Sequence, residues 1–309
     1  MVPVAPPSLD RIVETLRAMP KWEPTAETIP TIRKLLDSMG APLPKGTATQ
    51  SVVADGSRAE WVLADEIDPA RRMLYVHGGG FVAGSPTSHR ALAARIGRAA
   101  GCAVLLADYP LAPEHPFPAA LEDCVRCLRF LRDRGPEGST PAREVIVAGD
   151  SAGGGLALAT LLACRDAGEP MPAASVTLSA WTDLTMSGPS VVAQAAADPM
   201  IQAAHMGPCA ALYLGTHSAR DPLASPLFGD LRGLPPLLMQ VGDREVMLDD
   251  TRRFAARARE HGVRVTEEVW PGMFHVFQAF AGVLAEGMQA IDRIGHWIDA
   301  QCGAPAMRG

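Results

Sequence analysis

From about residue 71 onward, short apolar runs trade places with longer stretches whose apolar positions recur at helical spacing. The pattern predicts strands over 72–76, 102–107, 144–149, 174–180, 236–241 and 263–269. Between and after them it predicts helices near 87–100, 118–134, 153–167, 249–262 and 276–301. Upstream, two helices are expected at 8–19 and 25–39, the first capped by Ser8 and stopped by Pro20, the second ended by Gly40. The proline-rich Ala41-Pro42-Leu43-Pro44 follows, then strands around 48–54 and 58–65. Apolar strands alternating with amphipathic helices imply an α/β protein with a mostly parallel sheet covered on both faces. Ligands of such sheets sit at the C-terminal ends of the strands.

Residues 184–234 break the alternation, with one helical stretch near 202–214 and otherwise Gly, Pro and Ser. Met200, Ile201, Met206, Leu212 and Tyr213 are too apolar for a solvated loop, so this segment and the N-terminal helices are expected to form a small helical cap. The chain then divides into 1–45 (cap helices), 46–183 (first part of the core), 184–234 (cap insertion) and 235–309 (second part of the core).

Composition narrows the class. The chain has 309 residues, 48% of them hydrophobic, enough for one large core with insertions. Its net charge of −6 and its scattered basic residues, nearly all Arg, give no reason to expect a nucleic-acid partner. The cysteines at 102, 124, 127, 164, 209 and 302 read as small reduced hydrophobes. Cys124-x-x-Cys127 has no second Cys pair and no nearby His pair, so no metal is expected there. The stretch Met1 to Pro7 lacks the basic and apolar regions of a secretory signal, and no apolar run is long enough to span a bilayer. A cytoplasmic protein without membrane insertion is the expectation.

Two motifs bring chemistry. Gly149-Asp150-Ser151-Ala152-Gly153 follows the run Glu144 to Ala148 and opens a helix, the strand–turn–helix context of a nucleophile elbow. The glycines permit the tight turn, and the free N–H groups of the helix N-terminus favour an oxyanion. His77-Gly78-Gly79-Gly80 lies 74 residues upstream of Ser151, at the end of the 72–76 strand. Three bare glycines there offer the backbone donors that acyl transfer requires.

A serine nucleophile needs a base, and the base an orienting acid, expected in the order Ser, acid, His. Of His205, His217, His261, His275 and His296, only His275 follows a predicted strand by a short loop, Pro271 to Phe274. The acid is left open among Asp243, Glu245, Asp249 and Asp250, all after the 236–241 strand. Asp249 and Asp250 suit capping of the next helix, Asp243 comes early for a turn back, and Glu245 has the reach.

With Asp108-Tyr109-Pro110-Leu111-Ala112-Pro113-Glu114-His115-Pro116-Phe117-Pro118 and Gly272-Met273-Phe274-His275 added, these motifs resemble the hormone-sensitive lipase-like esterases, bacterial family IV of the α/β-hydrolase fold. The Gly-Asp-Ser-Ala-Gly form resembles the subgroup named for that motif. The resemblance covers roughly residues 71–280 and implies a serine carboxylesterase acting on short- to medium-chain esters through an acyl-enzyme, with no metal or cofactor. It implies Ser151 as nucleophile, His275 as base and Glu245 as acid, at a position usually held by Asp; the departure from Asp keeps Asp249 open as an alternative acid. It implies an oxyanion hole from the N–H groups of Gly78, Gly79 and Ala152. His77 is expected to brace the glycine loop, and Asp108, Glu114 and Asp183 to tie loops together. The Asp150 side chain is expected to point away from the substrate. Phe81, Trp181, Met206, Met273 and Phe274 are candidates for the pocket. Small-molecule esters are the expected partners, and a homodimer through the 263–269 edge strand is a further expectation. The alternatives are hydrolysis of lactones or acetylated metabolites by the same site, an amidase or peptidase, or a non-catalytic receptor on the same fold.

Overall fold

The computed structural model describes residues 7–21 and 23–304, so most of the Met1 to Pro7 stretch lies outside the described residues. Among the described residues one sheet holds β1 (Thr47–Ala54), β2 (Ser57–Ala64), β3 (Asp68–Val76), β4 (Cys102–Ala107), β5 (Glu144–Asp150), β6 (Ala174–Leu178), β7 (Leu237–Gly242) and β8 (Val265–Trp270). The helices are α1 (Leu9–Ala18), α2 (Ile29–Ser38), α3 (Pro86–Ala99), α4 (Ala119–Asp133), α5 (Ser151–Asp166), α6 (Ser190–Ala193), α7 (Ala203–Leu214), α8 (Leu248–Glu260) and α9 (Ala285–Cys302). The strand order is β1-β2-β4-β3-β5-β6-β7-β8, with β2 antiparallel to both neighbours and the rest parallel.

The central strands read as unbroken apolar runs because both of their faces are covered. Met73, Tyr75, Val104, Leu106, Ile146 and Ala148 pack with Leu92 and Ile96 of α3 and with Ile291, Ile294 and Ile298 of α9. The alternate positions Leu74, Val76, Ala103, Leu105 and Val147 pack with Leu128, Leu156, Leu161 and Phe254 of α4, α5 and α8. The chain goes from β3 through α3 to β4 on one side, then through α4 to β5 on the other. The order therefore reverses between β3 and β5, so the loops after these two strands open side by side.

Every strand and long helix expected from the pattern is present, with differences at a few ends. Ser8 caps α1 by accepting from the Arg11 N–H at 3.3 Å. The expected 276–301 helix is instead a 3₁₀ turn, Phe277–Phe280, followed by α9. Val276 adopts φ +48° and gives its N–H to Ser179 Oγ at 3.0 Å, which takes it out of any helix. Two short elements in the irregular region, α6 and the 3₁₀ turn Pro226–Phe228, carried too few residues for a periodic signal.

The N-terminal helices meet the 184–214 segment above the strand ends. Lys21 donates to the carbonyls of Pro199 and Met200 at 2.6 and 3.3 Å, and Arg17 to that of Ala196 at 3.3 Å. Ile12 and Leu16 of α1 are buried against Met273, Phe274 and Phe277. Among the described residues no helix is long and apolar enough to cross a membrane.

The turn from β5 into α5 is set by close approach. A Cβ at Gly149 would stand 2.5 Å from the Gly153 carbonyl oxygen, and one at Gly153 only 2.2 Å from that of His77. Both neighbours are backbone, which cannot swing aside. Gly153→Ala is therefore expected to push α5 off the β3 loop and destabilise the fold by about 1–3 kcal/mol. A urea titration that gives the variant the wild-type midpoint would contradict this packing account.

Candidate active site

Ser151 is the first residue of α5 and has φ +53°. That backbone conformation is costly for a non-glycine residue, on the order of 1–3 kcal/mol, and persists where the surroundings over-determine it. Here the Trp181 N–H holds the Ser151 carbonyl at 2.9 Å, and the two glycines lock helix to strand. The turn lifts the serine side chain to the sheet's C-terminal rim.

His275 follows β8 by a four-residue loop, and its Nε2 lies 2.9 Å from Ser151 Oγ. Its Nδ1 lies 2.8 Å from Glu245 Oε2. A carboxylate only accepts, so Nδ1 carries the proton and Nε2 of the neutral ring faces the hydroxyl as an acceptor. Burial pulls the His275 pKa down, but the hydrogen bond and charge of Glu245 outweigh it and leave the imidazole above its ordinary value. Glu245 is itself fully buried. Its Oε1 accepts from Ser179 Oγ at 2.8 Å and from the Gly242 N–H at 2.7 Å, so both oxygens are occupied.

The other three candidate acids go elsewhere. Asp243 accepts from the Gly272 N–H at 2.7 Å and ties the loop before His275. Asp249 and Asp250 stand in the first turn of α8, yet neither caps it; the N-cap is Met247, without a side-chain bond. Asp249 accepts from the Ser190 N–H at 2.7 Å. Asp250 Oδ1 takes the N–H groups of Thr182 and Asp183 at 2.7 and 2.8 Å, while burial pushes its carboxyl up to about 7. These two side chains latch the loop after β6 instead of serving their own helix.

The glycine loop after β3 lies against the serine. A Cβ at Gly78 would meet the Ser151 Cβ at 3.1 Å, and Gly79 and Gly80 have φ +120° and +64°. His77 donates from Nδ1 to the Gly78 carbonyl at 2.8 Å and stacks on Tyr109 at 4.2 Å. Burial lowers its pKa to about 3, so the ring is a neutral brace. Ala152 sits in the first turn of α5, where backbone N–H groups have no partner within the helix. Asp150 turns away from the serine, with Oδ1 on the Tyr75 hydroxyl at 2.8 Å and Oδ2 3.4 Å from His89 Nε2. Burial raises the Asp150 pKa, but these contacts outweigh it and hold the carboxyl below its ordinary value.

Glu114 pairs with Arg33 at 2.7 Å, Asp108 with Arg58 at 3.0 Å, and Asp183 with Arg253 at 2.9 Å, each linking separate segments. Ser179 was not foreseen. It has φ +51° just past β6 and couples Glu245 to the backbone after His275. A serine after a strand carries no sequence mark of that duty.

A cavity of about 760 Å³ reaches from Ser151 and His275 outward beneath α2 and α7. Trp181 and Met206 line it. Phe81, Met273 and Phe274, also expected there, are not on its wall. Phe81 stacks on Tyr213 at 3.8 Å, while Met273 and Phe274 pack under α1. Each belongs to the support behind the cavity.

A family profile described as the alpha/beta hydrolase fold matches residues 73–279. The chain is 47% identical over 245 residues to an acetyl-hydrolase of Streptomyces hygroscopicus, covering 79% of this chain and 80% of that one. It is 33% identical over 263 residues to an esterase of Acinetobacter venetianus, covering 84% and 85%. Among solved structures, an esterase of the bacterial hormone-sensitive lipase family superposes with a TM-score of 0.87 at 45% identity, covering 96% of this chain and 98% of that one. An esterase/lipase from an uncultured bacterium gives 0.89 at 42% identity, with the same coverage. The chain therefore belongs to the α/β-hydrolase family, among its hormone-sensitive lipase-like esterases.

Proposed function

We propose that the protein is a serine carboxylesterase in which Ser151, His275 and Glu245 act as one unit. The observation that carries the reading is the continuous hydrogen-bonded chain from Ser151 Oγ through the imidazole to a buried carboxylate. In this reading Ser151 Oγ attacks the ester carbonyl carbon while His275 Nε2 takes its proton. Glu245 holds the Nδ1–H tautomer and stabilises the imidazolium. The carbonyl oxygen becomes an oxyanion in front of the N–H groups of Gly78, Gly79 and Ala152. Collapse returns the proton to the leaving alcohol and leaves an acyl-serine. Water, deprotonated by the same His275, then releases the acid and restores the serine.

The cavity suits acyl chains on the order of two to eight carbons. The acetyl-hydrolase relative supports the short end of that range. Within the described residues, 7–45 and 184–234 form the cap over a core of 46–183 and 235–304, residues 1–6, 22 and 305–309 of the expected division lying outside them, and β8, at one edge of the sheet, offers a strand for a homodimer.

Ser151→Ala is expected to abolish p-nitrophenyl butyrate hydrolysis, lowering kcat by roughly 10⁴-fold or more in a protein that still folds. A folded variant with near-wild-type turnover would sink the serine mechanism. The pH profile tests the acid. His275 works only as the neutral ring, so activity falls as pH drops through its pKa, and that pKa is raised. Glu245→Gln removes the strongest of the groups that raise it, leaves only the weaker pull of Asp198 and Asp150 against burial, and so moves the acid limb of kcat/KM to lower pH. The plateau rate should fall by about 10³–10⁴-fold at the same time. An unmoved limb would assign the charge partner elsewhere.

A further inference from the structure

The cavity extends well past the serine, and α3 forms one of its walls. Ser88, His89, Leu92 and Arg95 all line it, at spacings of three and four that put them on one helical face. His89 stands at the serine end, beside Asp150. Arg95 lies six residues further on, about 9 Å along the helix axis at 1.5 Å per residue. The wall between and around them is apolar, formed by Leu36, Leu43, Phe280 and Val283.

Arg95 is half-buried, and its guanidinium has no carboxylate partner among the described residues. Nη1 donates only to the Ala91 carbonyl of its own helix, at 3.2 Å. Its charged neighbour is Arg98, a like charge. Arg90, little more than a turn earlier on the same helix, is paired with Glu60 at 3.2 Å. Among the described residues the one carboxylate on the cavity wall is that of Asp150, which Tyr75 and His89 already hold. A Cβ at Gly282 would stand 2.9 Å from Arg95 Nη2, so the guanidinium reaches the turn before α9. A guanidinium stays charged in such surroundings and presents a planar fork of donors.

We propose that Arg95 marks an anion subsite, and that the substrates are esters with one apolar arm ending in a carboxylate. This rests on the esterase reading above. A single cation with no second positive group on the wall suits a monoanion, and the fork matches a carboxylate's two oxygens. Taken along the helix axis, the rise of about 9 Å between these two backbone positions sets the chain length to probe, about seven carbon–carbon bonds, each advancing somewhat less than its 1.5 Å length. That is the span of a suberate monoester.

The test compares p-nitrophenyl hydrogen suberate with its ω-carboxamide counterpart. A second pair, the butyrate esters of ω-hydroxyoctanoate and its amide, presents the anion on the alcohol arm. The readout is the ratio of kcat/KM for the anionic over the neutral partner, in wild type, Arg95→Met and Arg95→Lys. In at least one pair the wild type should favour the anion by about tenfold, chiefly through KM, as expected for a hydrogen bond to a charged group. Arg95→Met should bring the ratio to about one and Arg95→Lys should restore part of it. A wild-type ratio near one in both pairs, or a preference that survives Arg95→Met, overturns the proposal. If p-nitrophenyl butyrate is not hydrolysed at all, the esterase reading itself fails. Calorimetric binding of free suberate to wild type, lost in Arg95→Met, then decides the subsite alone; equal binding, or none to wild type, overturns it.

Discussion

The contact on which the site depends is the approach of the α5 N-terminus to the ends of β3 and β5. Gly149 and Gly153 let two backbone segments touch where any side chain would hold them apart. That contact places Ser151 at φ +53° and fixes how far the serine stands from His275 in the loop after β8. Strain at one residue is thus held by the packing of a whole α/β sandwich. Were the helix to sit slightly higher, the 2.9 Å distance to His275 would open and the hydroxyl would lose its acceptor.

The second layer of order is polar and buried. Glu245 is taken out of water completely, and a lone buried carboxylate is costly. It is tolerated because Ser179, Gly242 and His275 occupy both of its oxygens. The same arrangement orients the imidazole, so what satisfies the carboxylate also sets the tautomer. Asp250 shows the contrast. Three hydrogen bonds reach its Oδ1 while Oδ2 has no partner among the described residues, and burial drives its carboxyl up to about 7. Two buried acids five residues apart thus differ in how their oxygens are partnered.

The N-terminal helices and the segment around 196–200 are joined by bonds to backbone carbonyls. Lys21 and Arg17 reach carbonyls of 196–200, and Asp198 accepts from the N–H of Val246, one residue past Glu245. The segment over the cavity is therefore tied directly to the loop carrying the acid.

The sequence by itself determined the layered fold, because strands covered on both faces must read as apolar runs and their helices as periodic stretches. It pointed to Ser151, His77 to Gly80 and His275 as well, since a sharp turn and a bare backbone demand glycine at fixed offsets, and His275 follows a strand by a short loop. It could not choose among Asp243, Glu245, Asp249 and Asp250, because residues a few positions apart point in directions that only the packed loop sets. The tertiary structure brought Glu245 to His275 and sent the others to Gly272, Ser190 and Thr182. It also broke the expected last helix at Val276, whose N–H goes to Ser179, and moved Phe81, Met273 and Phe274 from the cavity to its supports. Each of these outcomes turns on a contact between residues far apart in the chain. Local periodicity carries no record of such contacts.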